Sequence, residues 1–555
     1  MRMRLVTLLA FAGLFVTALS AGALTGLPGA DVAAMGVLAT QPLPDRASVE
    51  QTEVNPRGGG AELGGWGSEV QITDNRLENV TYYNNAHKVV YGAGGVGHVV
   101  WSDNNGDAVY YKRYYPGSGW SKDLQLAKTA GLGCPAIALD ANGTTIHVVW
   151  RMWKHLGTTN FHIYYQKCNP TGSGTGGWVG NPMDLCENAS GHDHVYPAVA
   201  CGPNGQVVVT WMEAWGYPNV VRSYGFREYA SGKWQDQELI EDPIPSYRWM
   251  PSISTDGSGN VFVAYYGSTS LEPKDSFHVY VNSRINGQWL EQWENVTSSL
   301  AYPDSFIMPD IDVNPVTGNP HIVCHSYSIT VSGTDTTRYY HIYHSYRTDD
   351  DGWTVPEMIY EPASSGASMF FDASGTAHVA WHGYDEDLTG WGIKYASCLA
   401  DGGTWTTPYC LTTNASGIRD ASANITVGAD GVLHVVWTRN NSTSRYPYQI
   451  FGISSSGSFG GPMAGTTVTP RGFSLGVSPN PASRRMVVSY SLPAAGNVSL
   501  KLYDISGALA KTVACGYVLP GSHAVSLPRQ NLARGAYILK LESGASSFTR
   551  KLIIE

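Results

Sequence analysis

Several side chains of this 555-residue sequence combine useful chemistry with a position beside a predicted strand end. Aromatic rings stack on sugar faces, and arginine forks bind carboxylate or sulfate through paired hydrogen bonds. Histidines and carboxylates can transfer protons. These residues stand in loops that do not repeat, which favours a glycan-binding face; they are Arg151, Trp153, His194, Glu213, Trp215, Arg248, Trp249, Tyr327, His382, Tyr384, Asp385, Arg419 and Arg439, with His192, Tyr196 and His325 in the same loops.

The histidines divide into a repeating and a non-repeating group. His194, His325 and His382 do not recur and are candidates for acid/base work. Two sets recur at fixed strand positions, which indicates hydrogen bonding between strands rather than metal binding: His98, His147, His321, His378 and His434, and then His162, His278 and His341. No HExxH, Cys-x-x-Cys, Walker or Gly-x-Ser-x-Gly motif is present. We therefore expect no metal or cofactor, and no catalytic residue is assigned.

The loops connect predicted β-strands, and the sequence of these strands repeats along the chain. Turn–strand pieces such as GVGHVVW (95–101) and DGVLHVVW (430–437) end at one matched position, and neighbouring copies lie 49 to 61 residues apart. That position is occupied by Trp101, Trp150, Trp211, Tyr265, Cys324, Trp381 and Trp437. A strand-only period of this length predicts an all-β propeller, and the count favours seven blades over six or eight.

The last repeat lacks a strong fourth strand, whereas an unpaired strand signal, 64–75, precedes the first repeat. Because an open ring would leave strand edges exposed, we expect this N-terminal strand to close the seventh blade.

Composition restricts the partners. Charged residues make up only 14% of the chain, which has 63 Gly, 33 Tyr and 17 Trp. This balance suits an extracellular β-rich protein with many tight turns. The net charge of −10 and the absence of Lys/Arg clusters argue against nucleic acid. Expected partners are an extracellular glycan or a surface protein, and the secretion machinery; we expect a monomer.

The N-terminus has the pattern of a signal peptide. Arg2 and Arg4 precede an apolar run, 5–19, and Ala21-Gly22-Ala23 is a small-residue cleavage site. The alternative, a membrane anchor, needs a longer run. The predicted domains are a signal peptide (1–23), a linker (24–63), a seven-bladed β-propeller (64–465) and a small immunoglobulin-like β-sandwich (472–555).

The cysteines predict cross-strand disulfides in an oxidising compartment. Cys168 and Cys186 flank one hairpin, and Cys398 and Cys410 flank the corresponding hairpin of another repeat. Cys134 and Cys201 form a weaker candidate pair. Cys324 is expected to be a buried thiol, and Cys515 has no evident partner.

The C-terminal region resembles the type IX secretion C-terminal sorting domain. The matching pieces are Ser478-Pro479-Asn480-Pro481, Tyr503-Asp504-Ile505-Ser506-Gly507, Gly535-Ala536-Tyr537 and Arg550-Lys551-Leu552. The resemblance implies that this region is an export signal and that the protein is secreted or held at the outer cell surface.

The repeats resemble sialidase-like, BNR-type propellers, although the Asp-box Ser-x-Asp-x-Gly-x-Thr-Trp is only partly echoed at 254–259. That family implies three arginines around a substrate carboxylate, which Arg151, Arg248, Arg419 and Arg439 could supply. Polysaccharide lyases with His and Tyr in acid/base roles offer a second template. The predicted function is therefore glycan or surface-partner binding, with a glycoside hydrolase or polysaccharide lyase as one alternative and a structural adhesion protein as another.

Overall fold

A computed structural model of the chain describes residues 66–74, 78–81, 84–103, 108–129, 133–153, 160–171, 174–186, 192–215, 221–240, 247–268, 277–300, 305–332, 335–348, 352–360, 364–385, 390–399, 401–412, 418–440, 448–455, 474–478, 485–492, 496–518, 521–528, 532–543 and 546–554. The predicted signal peptide and linker lie outside these residues. Within them the regular structure is β-strand with two single-turn 3-10 segments, Ala93–Gly95 and Pro203–Gly205. In the described part, no helix is long and apolar enough to span a bilayer.

The repeats form small sheets, whose strands follow in chain order. The first strand, β1 (Val70–Gln71), precedes the first sheet and belongs to the last one. The first sheet has β2 (Asn79–Val80), β3 (Val89–Tyr91), β4 (Gly97–Asp103), β5 (Ala108–Tyr115), β6 (Gly119–Trp120) and β7 (Leu124–Lys128). The second sheet has β8 (Ala136–Leu139), β9 (Ile146–Trp153), β10 (Phe161–Cys168) and β11 (Trp178–Asp184). The third has β12 (Asp193–Cys201), β13 (Val207–Trp215), β14 (Val221–Ala230), β15 (Lys233–Trp234) and β16 (Glu238–Ile240).

The remaining repeats continue the same pattern. The fourth sheet has β17 (Tyr247–Thr255), β18 (Val261–Ser268), β19 (His278–Ile285), β20 (Gln288–Trp289) and β21 (Glu294–Asn295). The fifth has β22 (Ser305–Val313), β23 (Pro320–Ser332), β24 (Asp335–Tyr339), β25 (Ile342–Thr348), β26 (Gly352–Trp353) and β27 (Glu357–Tyr360). A larger sheet joins β28 (Ser364–Phe371), β29 (Thr376–Asp385), β30 (Gly390–Leu399) and β31 (Tyr409–Cys410) to β32 (Arg419–Val427), β33 (Leu433–Asn440) and β34 (Tyr448–Ser454) through one parallel bridge, Trp391 to Arg419.

The first strand of each repeat contacts the first strand of the next, and the contacts close on themselves in the order β3, β8, β12, β17, β22, β28, β32 and back to β3. The N-terminal strand adds to the last repeat, with Val70 opposite Gly452 and Gln71 opposite Phe451. The predicted pairing of this strand with the last repeat is confirmed. It removes the exposed edge of β34.

The matched position at the end of the second strand of each repeat lies in the core. All five tryptophans there are fully buried, and Tyr265 and Cys324 are at most 3% exposed. A buried aromatic ring removes a large apolar area from water, so each repeat supplies its own core residue. Three of the five histidines in the first recurring set bind a tyrosine across strands, as predicted: His98, His147 and His378 place Nδ1 2.7–2.8 Å from the hydroxyls of Tyr111, Tyr165 and Tyr395.

Five of the first strands, β12, β17, β22, β28 and β32, have a β-bulge that turns one side chain out of the regular alternation. At these bulges the backbone is left-handed at Tyr196, Met250, Met308 and Ser422, with φ between 41° and 56°, and at Gly366; Cys134, just before β8, has the same conformation with φ of 44°. Left-handed backbone is strained for non-glycine residues, and bulges are common beside functional sites, where they redirect a side chain.

A short segment before β3 lies among these first strands. Asn84 donates to the carbonyls of Cys134 and Pro197 at 3.1 and 2.8 Å, and Asn85 donates to the carbonyl of Pro309 at 3.1 Å. The Lys88 ammonium is fully buried and donates to Asn84 Oδ1 at 2.6 Å. Burial lowers the pKa of Lys88 to about 7. This segment ties the inner ends of several repeats together beneath the loops.

The C-terminal region forms two further sheets around one core. One has β35 (Ser474–Ser478), β36 (Arg485–Leu492) and β39 (Gly521–Pro528); the other has β37 (Gly496–Asp504), β38 (Leu509–Val518), β40 (Gly535–Ser543) and β41 (Ser546–Ile554). Buried Leu500, Leu539 and Leu552 of the second sheet meet Val488 of the first.

The predicted disulfide between Cys168 and Cys186 is wrong. Cys168 faces Trp178 at one end of the β10–β11 pair, whereas the Cys186 thiol accepts the N–H of Ile163 near the other end of β10. A strand rises about 3.3 Å per residue, so the two thiols are much too far apart for a bond that needs Cα atoms about 6 Å apart.

The same reasoning overturns the Cys398–Cys410 pair, because Cys410 faces Lys394 and Cys398 faces Trp405. In the described part of the chain, neither predicted pair forms a disulfide, and Cys134 and Cys201 form none either. Cys324 is a buried thiol as predicted, and burial raises its pKa to about 12. The side chain of Cys515 lies outside the described residues.

Candidate functional site

Four aromatic rings and one arginine from three neighbouring repeats meet at the loop end of their strands. The Arg151 guanidinium lies 4.7 Å from the ring centroid of Phe161 and 5.8 Å from that of Tyr196. Trp153 packs edge-on against Phe161 at 5.0 Å, and Trp249 lies 6.4 Å from Tyr196. We call these five residues the aromatic row. All except buried Phe161 are partly exposed.

The backbone explains how these side chains reach one surface. Arg151 follows core residue Trp150 in β9, and strand alternation turns it to the opposite face. Tyr196 has φ of 54° and stands in the bulge of β12, where the register shifts between Val195 and Ala198. Trp249 stands at the equivalent bulge of β17. The strained backbone thus presents Tyr196 towards Arg151 and Trp249 instead of leaving it in register.

A buried histidine–carboxylate pair lies beside the row. His194 and Glu213 are register partners on β12 and β13, and each is at most 2% exposed. His194 Nδ1 donates to the Phe161 carbonyl at 3.2 Å, which directs Nε2 to Glu213 Oε1 at 3.4 Å. His192, which is more exposed, lies 3.8 Å from the other oxygen of Glu213, and Gln237 donates to Oε1 at 2.9 Å. This arrangement can hold and pass a proton near the surface.

Arg248 precedes Trp249 in β17 and is placed differently from it. Its side chain is buried, with the guanidinium 5.9 Å from the Tyr265 ring, whereas Trp249 is partly exposed. The structure therefore brings Trp249 into the aromatic row and directs Arg248 into the interior of its sheet.

His325, Tyr327, His382 and Tyr384 form a separate group on the fifth repeat and the one after it. His382 is buried; its Nδ1 accepts the N–H of Ser422 at 3.2 Å, so its Nε2 donates to Ser365 Oγ at 2.9 Å. Burial lowers the pKa of His382 to about 4 and that of His325 to about 3. Both rings are therefore neutral at pH 7.

The tyrosines of this group each lie beside another aromatic residue. Tyr327 is 5.3 Å from Tyr340, and Tyr384 is 6.5 Å from Trp391. His382 also lies 5.6 Å from Trp391 on the neighbouring strand of the same repeat. The N–H of Gly366 donates to His325 Nδ1 at 3.5 Å, which links the two repeats. The group is thus a second set of rings, on repeats other than those of the aromatic row.

Two predicted ligand arginines belong to the last repeat. Arg439 donates from Nε and Nη2 to the two oxygens of buried Asp420 at 2.7 and 2.8 Å, and its Nη1 lies 2.6 Å from Glu69. Its guanidinium also covers the Phe451 ring at 4.4 Å. Arg419, at the start of β32, is only partly buried. Arg439 is thus engaged by two carboxylates, and Arg419 is the more open of the two.

The side chains of Trp215 and Asp385 lie outside the described residues. Sequence reasoning missed Phe161, because it begins a strand like any apolar residue of the repeat. It named Tyr196 only as a loop neighbour. A usable signal existed: Tyr196 precedes a proline at the position held by Cys134, Met250 and Met308 in other repeats, and among these it is the only ring large enough to stack on a sugar.

The C-terminal sheets carry the motif expected of an export signal. The Asp504 carboxylate accepts the N–H groups of Ser506 and Ala508 at 2.8 and 3.0 Å, which shapes the Asp-Ile-Ser-Gly turn. Residues 476–555 match the family described as secretion system C-terminal sorting domain. This region is a type IX secretion sorting domain. The sorting domain marks the protein as exported, either secreted or attached to the cell surface.

Comparison with solved structures gives remote similarities to part of the chain. A protein of unknown function from Dyadobacter fermentans matches with 12% identity and TM-score 0.40, covering 58% of this chain and 93% of that one. A family PL25 ulvan lyase matches with 13% identity and TM-score 0.49, covering 69% and 95%. A Penicillium chrysogenum α-L-arabinanase matches with 12% identity and TM-score 0.39, covering 68% and 98%. No match was found among curated proteins.

Proposed function

We propose that this chain is an exported seven-bladed β-propeller (64–465) that binds an anionic extracellular glycan on the aromatic row, followed by its sorting sandwich (472–555). The observation that carries the proposal is the position of Arg151 between the rings of Phe161 and Tyr196, with Trp249 beyond. Partly exposed rings offer flat surfaces for sugar rings, and the guanidinium offers paired donors for a carboxylate or sulfate.

Binding of an anionic sugar at this place depends on a local cation. The chain has a net charge of −10, so long-range attraction does not bring a polyanion to it. Recognition must then rely on the local cation, and Arg151 rests on Phe161 and Tyr196. Contact with aromatic faces limits the guanidinium's rotation, which reduces the entropy lost when it binds a ligand.

A glycan array tests the proposal. Wild-type chain should bind a subset of uronate- or sulfate-bearing oligosaccharides, and Arg151→Met should lose that binding while Arg248→Met retains it, because Arg248 lies inside its sheet. Neutral oligosaccharides serve as the ligand control. Equal binding by wild type and Arg151→Met, or binding of neutral sugars only, would refute the proposed ligand class.

A second candidate function, glycan cleavage, is favoured by the His194–Glu213 pair. His194 Nδ1 donates to the backbone carbonyl of Phe161, a member of the aromatic row. A polysaccharide lyase needs a group that removes a proton beside the sugar carboxylate, and a glycoside hydrolase needs a proton donor and a carboxylate. Sustained release of shorter products by wild type, lost in Glu213→Gln, would establish the enzyme in place of the binding protein.

A further inference from the structure

A nitrogen, an oxygen and a sulfur ligand atom converge at the end of the second sheet. His162 Nδ1 lies 2.9 Å from Asp184 Oδ2 and 3.1 Å from Oδ1. The Cys186 thiol accepts the N–H of Ile163 at 3.3 Å. One ligand atom from each of His162, Asp184 and Cys186 lies within 4.8 Å of those from the other two.

The fourth sheet carries the same local structure with different residues. His278 Nδ1 lies 3.0 Å from Thr297 Oγ1, and Thr297 Oγ1 also accepts the N–H of Val279 at 3.1 Å. The Thr297 N–H donates to Asn295 Oδ1 at 3.2 Å, as the Cys186 N–H donates to Asp184 Oδ1 at 3.0 Å. A threonine and an asparagine are therefore sufficient to accept the backbone N–H groups at these two positions.

In the second sheet, the same two positions hold a thiol and a carboxylate. The backbone hydrogen bonds do not require an aspartate and a cysteine here, since Asn295 and Thr297 make the same bonds in the fourth sheet. Relative to the fourth sheet, the second sheet therefore has two strong metal ligands, a carboxylate and a thiol, in place of two weak ones, and both sheets have the histidine. Sequence reasoning discounted His162 because it recurs at its strand position; the recurrence concealed the changes at its two partners.

Burial and exposure also suit a metal. His162 is 1% and Cys186 6% exposed, whereas the Asp184 side chain is 24% exposed. His162 Nε2 is buried and has no hydrogen-bond partner among the described residues. The two buried ligands would exclude water from one side, and the open side at Asp184 admits an ion with a water as fourth ligand.

We propose that His162 Nδ1, the Asp184 carboxylate and the Cys186 thiolate form a zinc site. One nitrogen, one oxygen and one sulfur ligand, completed to a tetrahedron by a water, suit Zn²⁺. Ca²⁺ and Mg²⁺ instead take oxygen ligands. On binding, the Cys186 thiol loses its proton to solvent and the sulfur bonds the metal. His162 Nδ1 now donates to the Asp184 carboxylate, so ligation needs the tautomer that carries the ring proton on Nε2 and leaves the Nδ1 lone pair for the metal. The site joins β10 to the end of β11 and does not depend on the glycan proposal.

Cobalt substitution tests the site directly. The full chain is stripped with chelator under reducing conditions and titrated with Co²⁺, whose bond to a thiolate gives a charge-transfer band in the near ultraviolet. Wild type should bind one equivalent with this band, and Zn²⁺ should displace it. The variant Asp184→Asn with Cys186→Thr reproduces the residues of the fourth sheet, so it should fold, and it should lose the band.

A gain-of-function variant provides the matched control. Asn295→Asp with Thr297→Cys places the same ligand set beside His278 and should add a second equivalent of thiolate-bound Co²⁺. The proposal is overturned if wild type shows no thiolate band at saturating Co²⁺, or if the band survives in the Asp184→Asn, Cys186→Thr variant.

Discussion

Glu69 forms an ion pair with Arg439, with 2.6 Å between Oε2 and Nη1, and so joins the segment of β1 to the last repeat. Asp420 occupies the other side of the guanidinium. The arginine that sequence analysis offered as a glycan ligand thus contributes to closure of the ring. Backbone pairing of β1 with β34 and this ion pair act on the same junction.

Replacing Arg439 should destabilise the fold, whereas replacing Arg151 should not. Arg439→Met leaves the buried Asp420 carboxylate without its cation, and breaking a buried pair typically costs roughly 3–5 kcal/mol of unfolding free energy. Arg151→Met removes a partly exposed cation and should change stability by less than about 1 kcal/mol. Urea denaturation of both variants measures the difference; equal effects would contradict the structural assignment of Arg439.

Stability should fall as the pH is lowered from about 6.5, the ordinary histidine pKa. Burial lowers the pKa of His147, His321 and His382 to about 4 in the folded chain. Between these values the unfolded chain binds protons that the folded chain does not, so the free energy of unfolding decreases with decreasing pH. More than about one pH unit above 6.5, the rings are almost entirely neutral in both states and no longer make stability depend on pH.

A single variant isolates one of these protons. His147→Gln should reduce the slope of unfolding free energy against pH by about 1.4 kcal/mol per pH unit between pH 6 and 5. This window lies above the range in which most carboxylates titrate. An unchanged slope would show that His147 is protonated in the folded chain.

Deleting residues 472–555 should leave a folded propeller that stays inside the cell. The sandwich has its own buried core, and the matched sorting domain lies within the deleted stretch. Fractionation of producing cells, with a melting curve of the purified truncated chain, measures both effects. Delivery of the truncated chain to the exterior, or its failure to fold, would contradict the proposed boundary.

The repeat period predicted the sheets because each copy buries the same aromatic position, and burial is a local, periodic property. The disulfide prediction failed because the hairpin spacing of Cys168 and Cys186 says nothing about which end of the strand each thiol occupies. The sequence predicted which types of residue the candidate site contains, but it did not predict which of the candidate residues lie next to one another in the folded chain. Trp249 and Arg248 are adjacent in sequence, yet strand alternation places one on the surface and the other inside.

The affinity of the chain for its best array glycan, measured by calorimetry in Tyr196→Gly, tests the glycan-binding account most directly. Glycine accepts the left-handed backbone at this position, so the change removes the ring without adding strain. Ser422→Gly makes the same backbone change at the equivalent bulge of the last repeat and serves as control. We predict that Tyr196→Gly weakens binding at least tenfold, an effect of about 1.4 kcal/mol, while Ser422→Gly binds as wild type. Wild-type affinity in Tyr196→Gly would contradict the account.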